Sequence, residues 1–549
     1  MLDVLRYGSW TGHARRRRLN GDPAVLRSII LHGFLLAVGF SAIACLALRL
    51  DVSDPQKPID ATAAFAFVGL MVVAGIVWWS ACRGIRSRAT SRWGLWCILG
   101  FAVLFRVIVF HAPPILELDV YRYLWDGFVA ANGVDPFRYA PTEAVEAIRF
   151  GDLETDPHLR KLAAAVERDP GATTILERVH FPDLPTVYPP AAQTMFRISE
   201  AMGSNASVER RLVTMKAHFL VCEAVTLAMV LLLLQRSGRP STWIILPAWC
   251  PLAVVCVANQ AHLDSLPAMW TFAAAVSASG PTLVAAALSG VLLALGGASK
   301  IYPLLLTPLF AVFIWRRAAQ DRQTRSVVIF ATALVATSLA LWAPLLRGES
   351  RREGFAAFAG QWEMYDSFFA VIVGNLKPNT PEQPKPWYSI VPESIKRNVQ
   401  SPDHTARGIW LAAVGVVAAF LTRRLWIDPT LESLLEKTFL LLVCFWALGP
   451  VCNPWYLMWM LPFLSFARNT GWLALFAVAP AMFLRFGMSS RFGANGEFWF
   501  DHVVVFALTA VWVVAVLLSR GRDQRLESTS TGTMAFSDPE RNPSRSRLT

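Results

Sequence analysis

At about 14 places along its 549 residues this sequence stays apolar long enough to cross about 30 Å of hydrocarbon. The runs begin near Ser28, Ala61 and Trp93, resume near Leu212, Trp243, Ser265, Pro281, Ile301 and Ser326, and return near Ile409, Ser433, Pro454, Trp472 and Val503. Only helices or closed barrels satisfy their backbone groups in lipid, and runs of this length read as helices. Composition closes off the soluble alternative. Charged residues make up 16% of the chain and hydrophobic ones 54%, whereas soluble chains average about 25% charged. The expectation is an all-α polytopic membrane protein with about 14 spans, about 12 at the low end. The eight cysteines include no CxxC pair, so neither a disulfide framework nor a zinc site is indicated.

The distribution of positive charge orients the chain. Arg15, Arg16, Arg17 and Arg18 precede the first run, and Arg83, Arg86, Arg88 and Arg92 follow the second. Further clusters lie at Arg316 to Arg325 and at Arg423 and Arg424. These read as cytoplasmic loops rather than as a nucleic-acid patch, so no nucleic-acid partner is expected despite a net charge of +12. The first run lacks a small-residue cleavage site and reads as a retained anchor. Three regions follow: an Arg-rich cytoplasmic arm at 1–27, a membrane domain at 28–520, and a disordered cytoplasmic tail at 521–549. Two intervals within the membrane domain, 112–206 and 346–406, lack spanning hydrophobicity and are expected on the extracytoplasmic side.

The first interval carries the densest pattern. After Glu117 and Leu118 comes DVYRYLWDG (Asp119 to Gly127), then GVDPFRYAP (Gly133 to Pro141). In a helix, Asp119, Arg122, Tyr123 and Asp126 share one face at i, i+3, i+4 and i+7. That predicts an amphipathic helix on the outer membrane surface, its charged face toward water or a cleft. Ordinary surface ion pairs of Arg122 with Asp119 and Asp126 explain the spacing equally well. HFPDLPTVYPP (His180 to Pro190) predicts a rigid turn into a short surface helix ending near Met202.

NQAHLDS places His262 and Asp264 at the outer end of one span, and SKIYP places Lys300 at another. Ionisable groups at that depth are often functional, although lysines near helix ends commonly snorkel. Arg106, inside the third run, is expected to snorkel outward in the same way. The second interval holds QWEMYDSFF (Gln361 to Phe369), and NPWYLMW (Asn453 to Trp459) opens a later run, where an aromatic belt is the plain explanation. No GxGxxG, GxxxxGK[ST] or HExxH is present, so nucleotide binding and zinc hydrolysis have no support. Glu117 and Asp119 alone are a weak metal signal. No metal and no cofactor are expected.

Taken in order, DVYRYLWDG, the Asn132–Tyr139 stretch, YPPAAQ, AHLD, KIYP and PWY resemble membrane glycosyltransferases of the GT-C superfamily. The nearest group is glycosyltransferase family 87 and the bacterial polyprenyl-phosphate-mannose-dependent α-mannosyltransferases. The ordered set covers roughly 340 residues, from Asp119 to Tyr456. Two departures are visible: Gly133-Val134-Asp135-Pro136-Phe137 replaces the usual Asn and Tyr, and Ala261 stands where the family has Gly before His262. The resemblance implies a GT-C fold in the plasma (inner) membrane. It implies transfer of a hexose, with mannose expected, from a polyprenyl-phosphate donor to a lipid or glycan acceptor on the extracytoplasmic face, with inversion. The base of that reaction maps to Asp119. Arg122, Tyr123, Asp126, Arg138, Tyr188, His262, Asp264 and Lys300 become substrate-binding candidates, with Arg122, Arg138 and Lys300 as phosphate-facing cations and Arg485 or Arg491 as alternatives. The competing readings are a transporter or flippase of lipid-linked sugars, a polymerase or ligase using a lipid-pyrophosphate donor, and a noncatalytic membrane scaffold.

Overall fold

The computed structural model describes residues 22–534, apart from short stretches at 54–56, 87–91, 151–155, 204–205, 347–349 and 381–383. Arg15 to Arg18 and residues 535–549 therefore lie outside the described residues. The described chain is helical, with only two isolated β-bridges, Asp51 to Ile115 and Met364 to Val451. Helix α1 (Pro23–Leu46) begins where Pro23 follows Asp22, whose carboxylate accepts from the Ala24 amide at 2.9 Å. Helices α2 (Ala61–Arg86) and α3 (Arg92–Phe110) both pack on α1 or near it. Then come α4 (Asp119–Ala131), α5 (Pro190–Gly203) and α6 (Val208–Arg236).

Among the described residues, seven helical stretches are long and apolar enough to cross a membrane, and the bent pair Ser241–Ala248 and Pro251–Asn259 adds an eighth. Leu31, Phe34, Val103, Val107, Leu339 and Val416 are each more than half exposed, an apolar exterior that lipid rather than water would cover. This is a helical membrane protein. The other apolar runs are shorter or broken. Helices α7 (Ser265–Ala278) and α8 (Leu283–Gly297) have 14 and 15 residues. Prolines 454 and 462 turn the PWY run into two 3-10 segments, Pro454–Trp459 and Leu461–Phe466. Sequence hydropathy registers these runs as spans, yet it does not separate a full crossing from a buried half-helix.

Two expectations change. Helix α4 does not lie on a surface: every residue from Val120 to Val129 is buried, with α5 packed along it. Arg106 does not snorkel; its guanidinium pairs with Glu223 at 2.6 Å and donates to the Ala248 carbonyl at 2.9 Å. Turning inward to a carboxylate satisfies a charge that lipid would leave bare. The last helix runs on to Met534.

Gly127 shows why α4 and α5 approach so closely. A Cβ there would stand 2.5 Å from the Phe196 carbonyl oxygen. The same contact ties two sequence motifs together, because Asp126 accepts from Gln193 Nε2 at 2.9 Å and Thr186 Oγ1 at 2.5 Å.

Candidate active site

A broken helix and a tight turn bring the polar groups together. The segment Val254–Asn259 is wound as a π-helix and is followed, after Gln260, by Ala261, whose φ of 57° is left-handed. That conformation costs a residue with a Cβ roughly 1–2 kcal/mol, which accounts for the Gly that the resembled motif has here. Past the break, Asn259 spans the gap to the end of α3. Its Nδ2 donates to the carbonyls of Val109, Ala112 and Pro113, and its Oδ1 accepts from the Ile115 amide at 2.9 Å. Gln260 Nε2 donates to the Ile115 carbonyl at 2.7 Å. Leu116, next in the chain, also has a left-handed φ of 53°. Residues 115–119 are thus fixed against the broken helix from both sides.

Glu117 sits where these pieces meet. Its Oε1 accepts from the amides of Leu118 and Asp119 at 2.8 and 2.7 Å, and its Oε2 lies 3.2 Å from His262 Nε2. The fully buried His262 ring stacks on Trp455 with centroids 4.3 Å apart. Burial alone would raise Glu117, but His262 and the two amides outweigh it and hold the carboxyl below the ordinary range. Asp119 is half-buried next to this pair. Burial, reinforced by the Glu117 charge, pushes its carboxyl up to about 7.

Lys300 approaches from the turn after α8. Its Nζ lies 2.6 Å from Asp264 Oδ1 and 3.9 Å from the centroid of the Tyr456 ring. Asp264, fully buried, also accepts from Trp459 Nε1 at 2.5 Å. Burial lowers Lys300, while Asp264 and Asp119 act to keep it charged. The turn is held to the YPP motif by the Ala191 amide, which donates to the Ala298 carbonyl at 2.8 Å.

These groups open on a cavity of about 630 Å³. Of the residues expected at a site, Asp119, Arg122, Tyr123, Tyr188 and Lys300 line it, while His262 and Asp264 form the layer behind. Tyr123 stacks on Phe196 at 4.8 Å and meets Tyr188 edge-on at 4.9 Å. Arg122 is otherwise committed: its Nε donates to Asp126 at 2.9 Å and its Nη2 to the Leu184 carbonyl at 2.9 Å. It holds the 181–184 loop in place from the cavity wall. Asp126, with a side chain 2% exposed, belongs to that scaffold and does not reach the cavity. Arg138 also lies outside the cavity, paired with Asp156 at 3.3 Å.

The cavity adds residues the sequence did not single out as a set. His180, Tyr365, Tyr456 and Arg485 line it, with Trp342, Phe355, Phe358 and Trp362 as an aromatic wall. Arg485 pairs with Asp501 and Glu497 at 3.1 Å each. Ligand atoms of Glu117, Asp119 and His262 lie within 4.8 Å of one another, the grouping among the described residues that is suited to a metal ion. Glu117 and His262 already serve each other there. Chemically, the arrangement can accept a proton near neutral pH at Asp119 and stabilise an anion at Lys300, beside a wall suited to an apolar chain. No family model, curated protein or solved structure matches this chain.

Proposed function

We propose that the chain is a GT-C type glycosyltransferase of the inner membrane, in which the short and bent apolar segments complete about 14 membrane-embedded helices. It transfers a hexose, with mannose expected, from a polyprenyl-phosphate donor to a lipid or glycan acceptor on the extracytoplasmic face. One observation carries the reading. Asp119, Tyr188, Lys300 and Tyr456, from four motifs spread over the chain, converge on one cavity that also has an aromatic wall.

The reaction assigned to that cavity is a single displacement. The acceptor hydroxyl oxygen attacks the anomeric carbon, the bond from that carbon to the phosphate oxygen breaks, and the configuration inverts. Asp119 takes the hydroxyl proton as the new bond forms. The electron pair leaves on polyprenyl phosphate, whose growing charge faces Lys300. The isoprenoid chain lies along Trp342, Phe355, Phe358 and Trp362. Glu117 and His262 hold the backbone and the charge around Asp119. The phosphate is already a competent leaving group, so no cofactor is called for.

The test is transfer from a panel of radiolabelled polyprenyl-phosphate sugars into a membrane lipid extract by the purified protein. The expected result is a new glycosidic product with one donor, lost in Asp119→Asn. Transbilayer movement of the donor without a new bond would instead identify a flippase, and wild-type turnover in Asp119→Asn removes the assignment of the base.

A further inference from the structure

A second cavity, of about 400 Å³, adjoins the first and shares Met364, Tyr365 and Arg485 with it. Its volume falls among those of small-molecule sites, about 300–1,000 Å³. The partition between the two is rigid. Met364 is bridged to Val451, with its amide donating to the Pro450 carbonyl at 2.9 Å and its carbonyl accepting from the Cys452 amide at 2.8 Å. Tyr365 follows with a left-handed φ of 58° and is buried edge-on to Phe500. A tyrosine held in a strained backbone conformation points to a constraint other than stability.

The lining is unlike that of the first cavity. Glu363, Asp366, Asn379, Tyr388, Asp501 and His502 carry its polar atoms. Its two cations are both used: Lys377 pairs with Asp403 at 3.2 Å, and Arg485 pairs with Asp501 and Glu497. No surplus positive charge is left for a phosphate. Asp366 Oδ2 is buried without a hydrogen-bond partner, an arrangement that ordinarily costs stability and marks a vacant polar contact. Burial and then Glu363 push Asp366 up to about 8, so near neutral pH it can donate as well as accept. The Tyr388 ring is seated against Gly374, where a Cβ would stand 2.7 Å from it, and its hydroxyl meets His502 Nδ1 at 2.8 Å. Uncharged hydroxyl-bearing rings suit such a lining: hydroxyls on carboxyl and amide groups, and the C–H face on an aromatic ring.

We propose that the second cavity is an acceptor-side subsite that takes a neutral hexopyranose ring of the acceptor headgroup. The proposal rests on the transfer reaction proposed above and names the chemistry of its acceptor. Asp366 and Tyr388 hold that ring, and the hydroxyl that attacks belongs to another part of the headgroup, which lies in the first cavity beside Asp119.

The test uses the full chain in a detergent free of sugar, with methyl α-mannopyranoside and methyl α-glucopyranoside as probes in saturation-transfer NMR. Asp366→Leu keeps the shape and removes an unpartnered buried polar group, so the variant should fold; Tyr388→Phe keeps the ring and drops only its hydroxyl. In the wild type at least one glycoside should show saturation transfer, which Asp366→Leu abolishes and Asp119→Asn retains. In transfer assays Asp366→Leu should raise the acceptor KM about tenfold or more, as loss of a buried hydrogen-bonding group does. Tyr388→Phe should raise it less, and kcat and donor affinity should stay within about twofold of wild type in both. Absence of glycoside binding in the wild type, or equal binding in Asp366→Leu, overturns the subsite. So does an acceptor KM that is unchanged in Asp366→Leu when the wild type turns over, which leaves the transfer reaction standing. Glycoside binding lost in Asp366→Leu, with no turnover from any donor, keeps the sugar site and removes the transfer reaction alone.

Discussion

Replacing Glu117 by Gln separates a working base at Asp119 from a bystander. A base at Asp119 would act only when deprotonated, and its folded-state value of about 7 is raised by burial first and by the Glu117 charge second. Activity should therefore fall as pH drops through about 7, and removing the Glu117 charge should move that limb toward acid. The carboxylate oxygens lie within 4.8 Å of each other. Two unit charges at that separation repel by about 0.9 kcal/mol at a dielectric of about 80 and by about 3.5 kcal/mol at about 20. At 1.36 kcal/mol per unit, the bracket is about 0.6 to 2.5 pH units. Burial remains in the variant, so a displacement of about one unit is expected. The assay is the pH dependence of kcat/KM for sugar transfer, compared between wild type and Glu117→Gln from about pH 5 to about pH 9. The carboxyls titrate as a pair, so the limb is a property of both. A limb that stays at the same pH in Glu117→Gln would falsify the coupling, and with it Asp119 as the group whose ionisation sets the rate.

Lys300→Ala should lower turnover by about 10²–10³ with donor binding less affected, because the charge it faces grows in the transition state; single-turnover rates against donor titrations check this. Asp126→Asn or Arg122→Ala breaks a buried pair and should cost about 3–5 kcal/mol, read as an early thermal transition in detergent rather than as a selective loss of rate. Ala261→Gly relieves a left-handed backbone worth about 1–2 kcal/mol but returns about 0.5–1 kcal/mol of chain entropy, so the same melt should show a small gain or no change. A marked loss in Ala261→Gly would mean the methyl itself is needed where it packs.

Much of the site was legible because it is local. Asp119, Arg122, Tyr123 and Asp126 stand at helical spacing, and α4 begins at Asp119. His262, Asp264 and Lys300 were visible as charges at the ends of apolar runs. What spacing does not encode is direction. Arg122 and Asp126 reach Leu184, Thr186 and Gln193, residues more than 50 positions away, so periodicity puts the two on one face without showing that Arg122 lines the cavity while Asp126 stands behind it. Arg138 shares its motif with Tyr139, and both engage Asp156, again a tertiary choice. Tyr365 lies in QWEMYDSFF and Arg485 stood as an alternative cation, but both reach the cavity only through long-range packing that neither stretch encodes. The span count was blurred for a related reason: hydropathy averages over Pro303, Pro454 and Pro462, which open short 3-10 segments in runs that composition alone would read as continuous helix.

The broken segment 241–264 also bears on how the protein is made. Trp249 Nε1 donates to the Ile98 carbonyl at 2.8 Å, Arg106 reaches back to the Ala248 carbonyl, and Asn259 needs the carbonyls at 109–113. Each partner is synthesised about 140–150 residues earlier than the segment that needs it. Alone in lipid, this bent stretch would present unsatisfied amides and an Asn-Gln pair to hydrocarbon. It can settle only against an α3 that has stayed beside the point of insertion while the whole interval 112–206 was translated. Assembly at the ribosome must therefore keep its early helices within reach of the late ones, and a substitution at Asn259 should register first as failed insertion and turnover of the nascent chain, before any question of catalysis arises.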